Sequence, residues 1–107
     1  MKESTKVLAL RVALLKAVYA AEKFKETDDG GTSNMDLPTV YLPRWKKLDI
    51  SEAFNLTGLA PDIRSDNRVF ILRACEGQGY RRTAMAEAFC NSLKDSGYSA
   101  GVDYRMD

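Results

Sequence analysis

The chain has 107 residues, 45% of them hydrophobic and 29% charged, with a formal net charge of +1 at neutral pH. That is the size and composition of one globular domain, residues 1–107, with one modest core; global disorder is excluded, and no overall field draws in DNA or a membrane. Histidine is absent, which argues against triad hydrolases and zinc sites, so no catalytic residue, metal or cofactor is assigned. Cys75 and Cys90 lack metal-ligand spacing and read as free thiols of a cytoplasmic protein.

Val7 to Ala21 is apolar except for Arg11 and Lys16. It is too short and too charged for a membrane span or signal peptide, and reads as a helix from a Ser4 or Thr5 cap to about Lys25. Its apolar residues cover most of the circumference, which predicts burial on two sides and hence a homo-oligomer through this N-terminal helix, the alternative being that one side packs on the sheet and the rest is an Ala-rich tolerated surface. Residues 28–34, with Gly30 and Gly31, break it. Thr39 to Leu42 reads as a short strand, away from the sheet centre because of the flanking Pro38 and Pro43. Asp49 and Glu52 have capping-box spacing for a short helix through Phe54 that Gly58 stops, and residues 60–67 read as a polar connection.

Arg68-Val69-Phe70-Ile71-Leu72-Arg73 has the near-continuous apolar run of a central strand. A helix from about Arg82 to Ser96 follows, closed by Gly97, and then a half-exposed strand in which Ala100, Val102, Tyr104 and Met106 alternate with more polar residues. The fold class expected is α/β: a small three-stranded, mostly parallel sheet with the long N-terminal helix and two further helices. In such a sheet Arg44 and the residue 76–79 loop emerge at carboxyl ends of strands, where ligands bind.

Two polar glycine loops carry the chemistry. In Gly77-Gln78-Gly79-Tyr80-Arg81-Arg82-Thr83 the glycines let backbone N–H groups approach a ligand at a helix N-terminus, which favours anions. Arg81 and Arg82 sit where the helix dipole disfavours cations, a placement that a bound phosphate offsets. It is neither a P-loop, since Lys is missing, nor a full dinucleotide fingerprint, since Arg82 stands at the third glycine position. The same residues also suit a plain turn whose arginines pair with surface carboxylates such as Glu76. In the first loop Asn34 and Asp36 match nucleobase or ribose edges, although a simple helix cap has the same composition. Arg44-Trp45-Lys46-Lys47 places an aromatic among cations, suited to stacking a base, while Trp45 beside Pro43 equally suits the core.

Residues 28–36, together with Tyr41-Leu42-Pro43-Arg44-Trp45 and Gly77-Gln78-Gly79-Tyr80-Arg81-Arg82, resemble small phage-encoded accessory proteins, and among them the sponges that sequester nucleotide signals of Thoeris and related cyclic-oligonucleotide defence systems. The resemblance covers residues 27–107 without a defined motif, so it carries no site residue over. It implies a homo-oligomer in the host cytoplasm that binds a cyclic ADP-ribose isomer or a cyclic oligonucleotide without cleaving it. The function expected is therefore non-enzymatic nucleotide sequestration. The alternatives are a phage inhibitor of a host defence protein, a small nucleic-acid binder using Arg44 to Lys47, and an enzyme using Asp28, Asp29 or Glu76.

Overall fold

The computed structural model describes residues 4–28, 30–31 and 33–106. Asp29 and Thr32 of the first glycine loop lie outside the described residues. The element order is α1 (Thr5–Glu22), β1 (Leu37–Tyr41), α2 (Lys47–Phe54), β2 (Ala60–Ile63), β3 (Arg68–Leu72), α3 (Gly79–Asp95) and β4 (Ser99–Asp103).

Ser4 caps α1, its hydroxyl oxygen accepting the Val7 N–H at 3.3 Å. Val7, Leu10, Leu14, Ala17 and Ala21 then recur every three or four residues and make one buried face. The expected second buried side is exposed: Leu8, Val12, Leu15 and Tyr19 are each between 44% and 69% accessible. α2 begins at Lys47 with no side-chain cap, so Asp49 sits in its first turn rather than opening a capping box.

The four strands form one sheet in the order β2-β3-β1-β4, and every neighbouring pair is antiparallel. The expectation of three mostly parallel strands is thus corrected in both number and direction. The segment read as a polar connection supplies the reason. Ala60–Ile63 pairs along β3 through a tight turn in which Asn67 donates its N–H to the Arg64 carbonyl and Arg64 donates to the Arg68 carbonyl. β1 and β2 do run in the same direction, as do β3 and β4, but each such pair has another strand between its members. Elements β1 to β4 with α2 and α3 thereby follow the split β-α-β order, β-α-β-β-α-β. β1 is central rather than peripheral, and it tolerates Pro38 because its ladder with β3 starts only at Thr39.

α1 lies between α2 and α3 and contacts both, while among the described residues those two helices do not touch each other. Leu10 and Leu14 of α1, Ile50 of α2, Phe89 and Leu93 of α3, and Val40, Val69 and Ile71 of the sheet share one core. Each such side chain contributes about 1.5–3 kcal/mol by leaving water. Because Val40 faces Val69 across the ladder, Thr39, Tyr41, Arg68 and Phe70 point to the sheet's other face. Phe70 is nevertheless only 8% exposed there, since the guanidiniums of Arg64 and Arg105 lie 4.5 and 5.2 Å from its ring centre. Arg64 is held by Asp62, and Arg105 by Asp103. Among the described residues no helix is long and apolar enough to cross a membrane.

Candidate functional site

Antiparallel pairing of β1 with both β3 and β4 puts the start of β1 beside the ends of its two neighbours. The chain entering β1, the loop from β3 into α3 and the residues after β4 therefore meet at one end of the sheet. The two glycine loops that stand out in the sequence are brought together there. Tyr80 donates its N–H to the Gly30 carbonyl at 2.9 Å. Ser33 Oγ donates to Gln78 Oε1 at 2.7 Å, and the Asn34 amide donates to the Gly79 carbonyl and to Thr83 Oγ1 at 3.1 and 3.2 Å. Asn34 also bridges to Met106, which brings the last described residue into the same cluster.

Asp36 is the hub of this end. Only 3% exposed, its carboxylate accepts the Thr83 hydroxyl and the Arg105 N–H, each at 2.8 Å, while its own N–H donates to Asn34 Oδ1 at 3.2 Å. A buried carboxylate is tolerated only with such donors around it. Its backbone carbonyl accepts Arg82 Nε at 2.8 Å, and Arg81 Nε donates to the Thr27 carbonyl at 2.8 Å. The arginines whose position suggested a phosphate thus bond across to the first loop through Nε. The first turn of α3 likewise spends the Tyr80 N–H on Gly30 rather than leaving it for an anion.

Between the loops lies an open cleft of about 590 Å³, lined by Gly31, Ser33, Asn34, Gly79, Tyr80, Thr83, Ala84, Glu87 and Met106. That volume is within the ordinary range for small-molecule sites. The Tyr80 ring, 63% exposed, forms one wall. Gly31 lies against it at φ +89°, where a Cβ would fall 3.0 Å from the ring. Glu87 supplies a carboxylate, which accepts the Tyr104 hydroxyl at 2.6 Å and thereby raises the Tyr104 pKa to about 12. Ala84 and Glu87 are not among the expected site residues, the sequence placing Glu87 on the solvated helix face, although their spacing of four and seven residues from Tyr80 puts them on its side of α3. Asp36, Arg81 and Arg82 support the cleft from behind and do not line it.

Arg44 and Trp45 are elsewhere. They follow the other end of β1, next to the 64–67 turn. Trp45 is half-buried against the core with Lys6 Nζ 4.5 Å from its ring centre, so one face is packed and one is held by a cation. Arg44 is exposed at φ +67°. Asn67 ties this end, donating to the Leu42 and Trp45 carbonyls at 2.9 and 2.7 Å and accepting from Lys47 Nζ at 2.7 Å.

Burial pushes the Cys75 thiol up to about 12, against the lowering influence of Arg82, and it also raises Cys90, so both thiols stay protonated near neutral pH. Among the described residues no group of three or more His, Cys, Asp or Glu side chains is arranged to hold a metal ion. Compared with known proteins, the chain matches no family model, no curated protein and no solved structure.

Proposed function

We propose that the protein binds and sequesters a small nucleotide ligand in the cleft between its two glycine loops, without transforming it. The observation that carries this reading is the convergence itself: segments some 45 residues apart in sequence are tied together by side-chain bonds around an exposed aromatic ring. Tyr80 offers a stacking face for a base, and the Ser33 hydroxyl and Glu87 carboxylate are polar groups at the cleft wall that suit sugar or base edges. Arg81 and Arg82 do not line the cleft; they use Nε in their bonds to Thr27 and Asp36 and form no ion pair among the described residues, so they add positive charge next to the site that favours an anionic ligand. Binding rather than turnover is favoured because, among the described residues, the polar groups at the lining are committed to structural bonds: the Glu87 carboxylate accepts the Tyr104 hydroxyl and the Thr83 hydroxyl donates to the buried Asp36. Within this reading the ligand class is the one implied by the resemblance to phage sponges, a cyclic ADP-ribose isomer or a cyclic oligonucleotide, in the host cytoplasm.

Calorimetry of the folded chain with both ligand classes is the direct test, together with mass spectrometry of any nucleotide released when purified protein is denatured. Expected are saturable binding by the wild type and about tenfold weaker binding by Tyr80→Ala, the loss typical of one stacked base. No heat, and no released nucleotide, would sink the proposal.

A second reading, a single-stranded nucleic-acid binder, is favoured by one observation: Tyr41 on β1 is exposed on the helix-free sheet face beside Arg68, with Phe70 on β3 next to it beneath the guanidiniums of Arg64 and Arg105, which a stacking base would have to displace. Aromatics on the two central strands of a four-stranded sheet are a recurrent platform for unstacked bases. This displaces the Arg44 to Lys47 segment as the nucleic-acid candidate, because Trp45 is packed at the core margin. Fluorescence anisotropy with labelled single-stranded oligonucleotides separates the readings: it requires salt-dependent binding that Tyr41→Ala weakens and Tyr80→Ala does not.

A further inference from the structure

α1 carries a second apolar line that the fold leaves uncovered. Leu8, Val12, Leu15 and Tyr19 follow at spacings of four, three and four residues. This is the 3-4 alternation of a two-stranded coiled-coil seam, with Val12 and Tyr19 at position a and Leu8 and Leu15 at position d. The line is separate from the face made by Val7, Leu10, Leu14 and Ala17, which is fully committed to the core.

We propose that a second copy of this chain closes the seam, its α1 antiparallel to the first about a two-fold axis passing between Val12 and Leu15. The register is self-complementary, as an isologous contact requires. Leu8 meets the partner's Tyr19 and Val12 meets the partner's Leu15. Thr5 meets the partner's Glu22, so a polar layer ends the seam on each side.

Charge selects the direction. A parallel pair would align the two helix dipoles and would bring the partner's Lys16, at position e, beside Arg11, at position g, a cation whose guanidinium is tied to the Glu52 carbonyl of α2. The antiparallel pair opposes the dipoles and lays Lys16 over the partner's Ala9. Ala9 lies in a groove of about 500 Å³ that Leu8, Val12 and Lys16 form with Asp95 and Tyr98, where α3 passes into β4. The partner's Lys16 therefore enters a groove whose far wall carries a carboxylate.

Size sets the strength. A helix of 18 residues is about 27 Å long. Two such helices and the groove walls bury on the order of 1,000 Å² in total, the lower bound for a specific interface. An interface at that lower bound belongs with reversible associations, and each protomer keeps its own complete core.

Sedimentation equilibrium of the full chain from about 1 to 200 µM reads this directly. The expected result is the mass of one chain at the bottom of the range and of two at the top. Val12→Glu combined with Leu15→Glu changes only exposed positions and is expected to remain monomeric throughout with unchanged far-UV circular dichroism; the milder Leu8→Lys should weaken the dimer at least about tenfold. A wild-type chain that stays monomeric at the top of the range, or a dimer that survives these substitutions in folded protein, overturns the proposal. Direction is read by oxidising an equal mixture of Val12→Cys and Leu15→Cys chains. A mixed disulfide is expected, and preferential linkage of Val12→Cys chains to one another overturns the antiparallel register.

Discussion

The two ends of the sheet are each tied by one small polar side chain, with opposite outcomes. At the start of β1, Asp36 gathers Thr83, Arg105, Arg82 and Asn34 from three chain segments. At the far end, Asn67 gathers Leu42, Trp45 and Lys47. Both ends have an aromatic residue among cations in the sequence, yet the Asn67 end seats Trp45 against the core and the Asp36 end leaves Tyr80 facing an open cleft. The difference lies in what the backbone brings alongside. Asn67 of a tight hairpin turn fixes the Trp45 backbone while its ring packs against the core with Lys6 at its face, whereas two glycine loops meet beside Tyr80 and a gap persists between them. An aromatic-cation cluster is therefore a candidate site only where the adjoining backbone withholds a cover.

The sharpest break of the comparison is Asp36→Ala. It strips the partner from the Thr83 hydroxyl and the Arg105 N–H, both held by a buried charge, and is expected to cost about 3 kcal/mol, seen as a fall in Tm of about 15 °C. Ligand binding should weaken with it, because the walls of the cleft are hung from this carboxylate. Asn67→Ala comes next at about 2 kcal/mol, from two lost hydrogen bonds to carbonyls and a left-handed backbone that alanine disfavours. Asn67→Gly should recover the conformational part alone. In both Asn67 variants the affinity of still-folded protein for a cleft ligand should be unchanged; a loss matching that of Asp36→Ala would show that the two ends are coupled and remove the contrast.

Gly31→Val is smaller in stability and more selective in function. The φ of +89° and the ring of Tyr80 at 3.0 Å from an added Cβ make it strained and intrusive, for about 1–2 kcal/mol. It should abolish calorimetric binding to the cleft while salt-dependent binding of single-stranded oligonucleotide, if the open sheet face supplies it, persists. Loss of neither would mean that the cleft is not where a ligand sits.

Local physics was legible in the sequence, and long-range closure was not. The Ser4 cap, the α1 core positions, the apolar β3 run and both glycine loops are short patterns whose cause lies within a few residues. β2 was lost because Pro61 and Asp62 interrupt any strand pattern, and its stability comes from pairing with β3 rather than from propensity. The turn residues Asp66 and Asn67 did signal a hairpin, and reading them would have made the sheet antiparallel. For the site, the helix N-terminus pointed Arg81 and Arg82 at a bound phosphate, whereas their Nε groups bond to backbone carbonyls of the first loop and its approach. Those carbonyls lie 54 and 46 residues away, beyond any local pattern.

The smallest expected effect tests the outer wall of the cleft. The Tyr104 hydroxyl donates to Glu87, and deprotonating it would set a phenolate against a carboxylate, so its pKa rises from 10.0 to about 12. A group whose folded pKa is raised stabilises the fold fully below its unfolded value and loses that contribution as pH climbs through the folded one. The Tyr104 contribution is accordingly intact up to about pH 10 and gone by about pH 12. The group is largely exposed, so the effect belongs in a titration rather than a melting curve. Phenolate absorbance of the wild type, less that of Tyr104→Phe, isolates the transition from those of the other tyrosines, including Tyr98, which burial also raises. Glu87→Gln removes the negative charge while keeping an acceptor, and should return the Tyr104 midpoint toward 10. A midpoint that does not move would mean that Glu87 is not anchored to the segment after β4, and the cleft would lose the wall that most distinguishes it from the closed end.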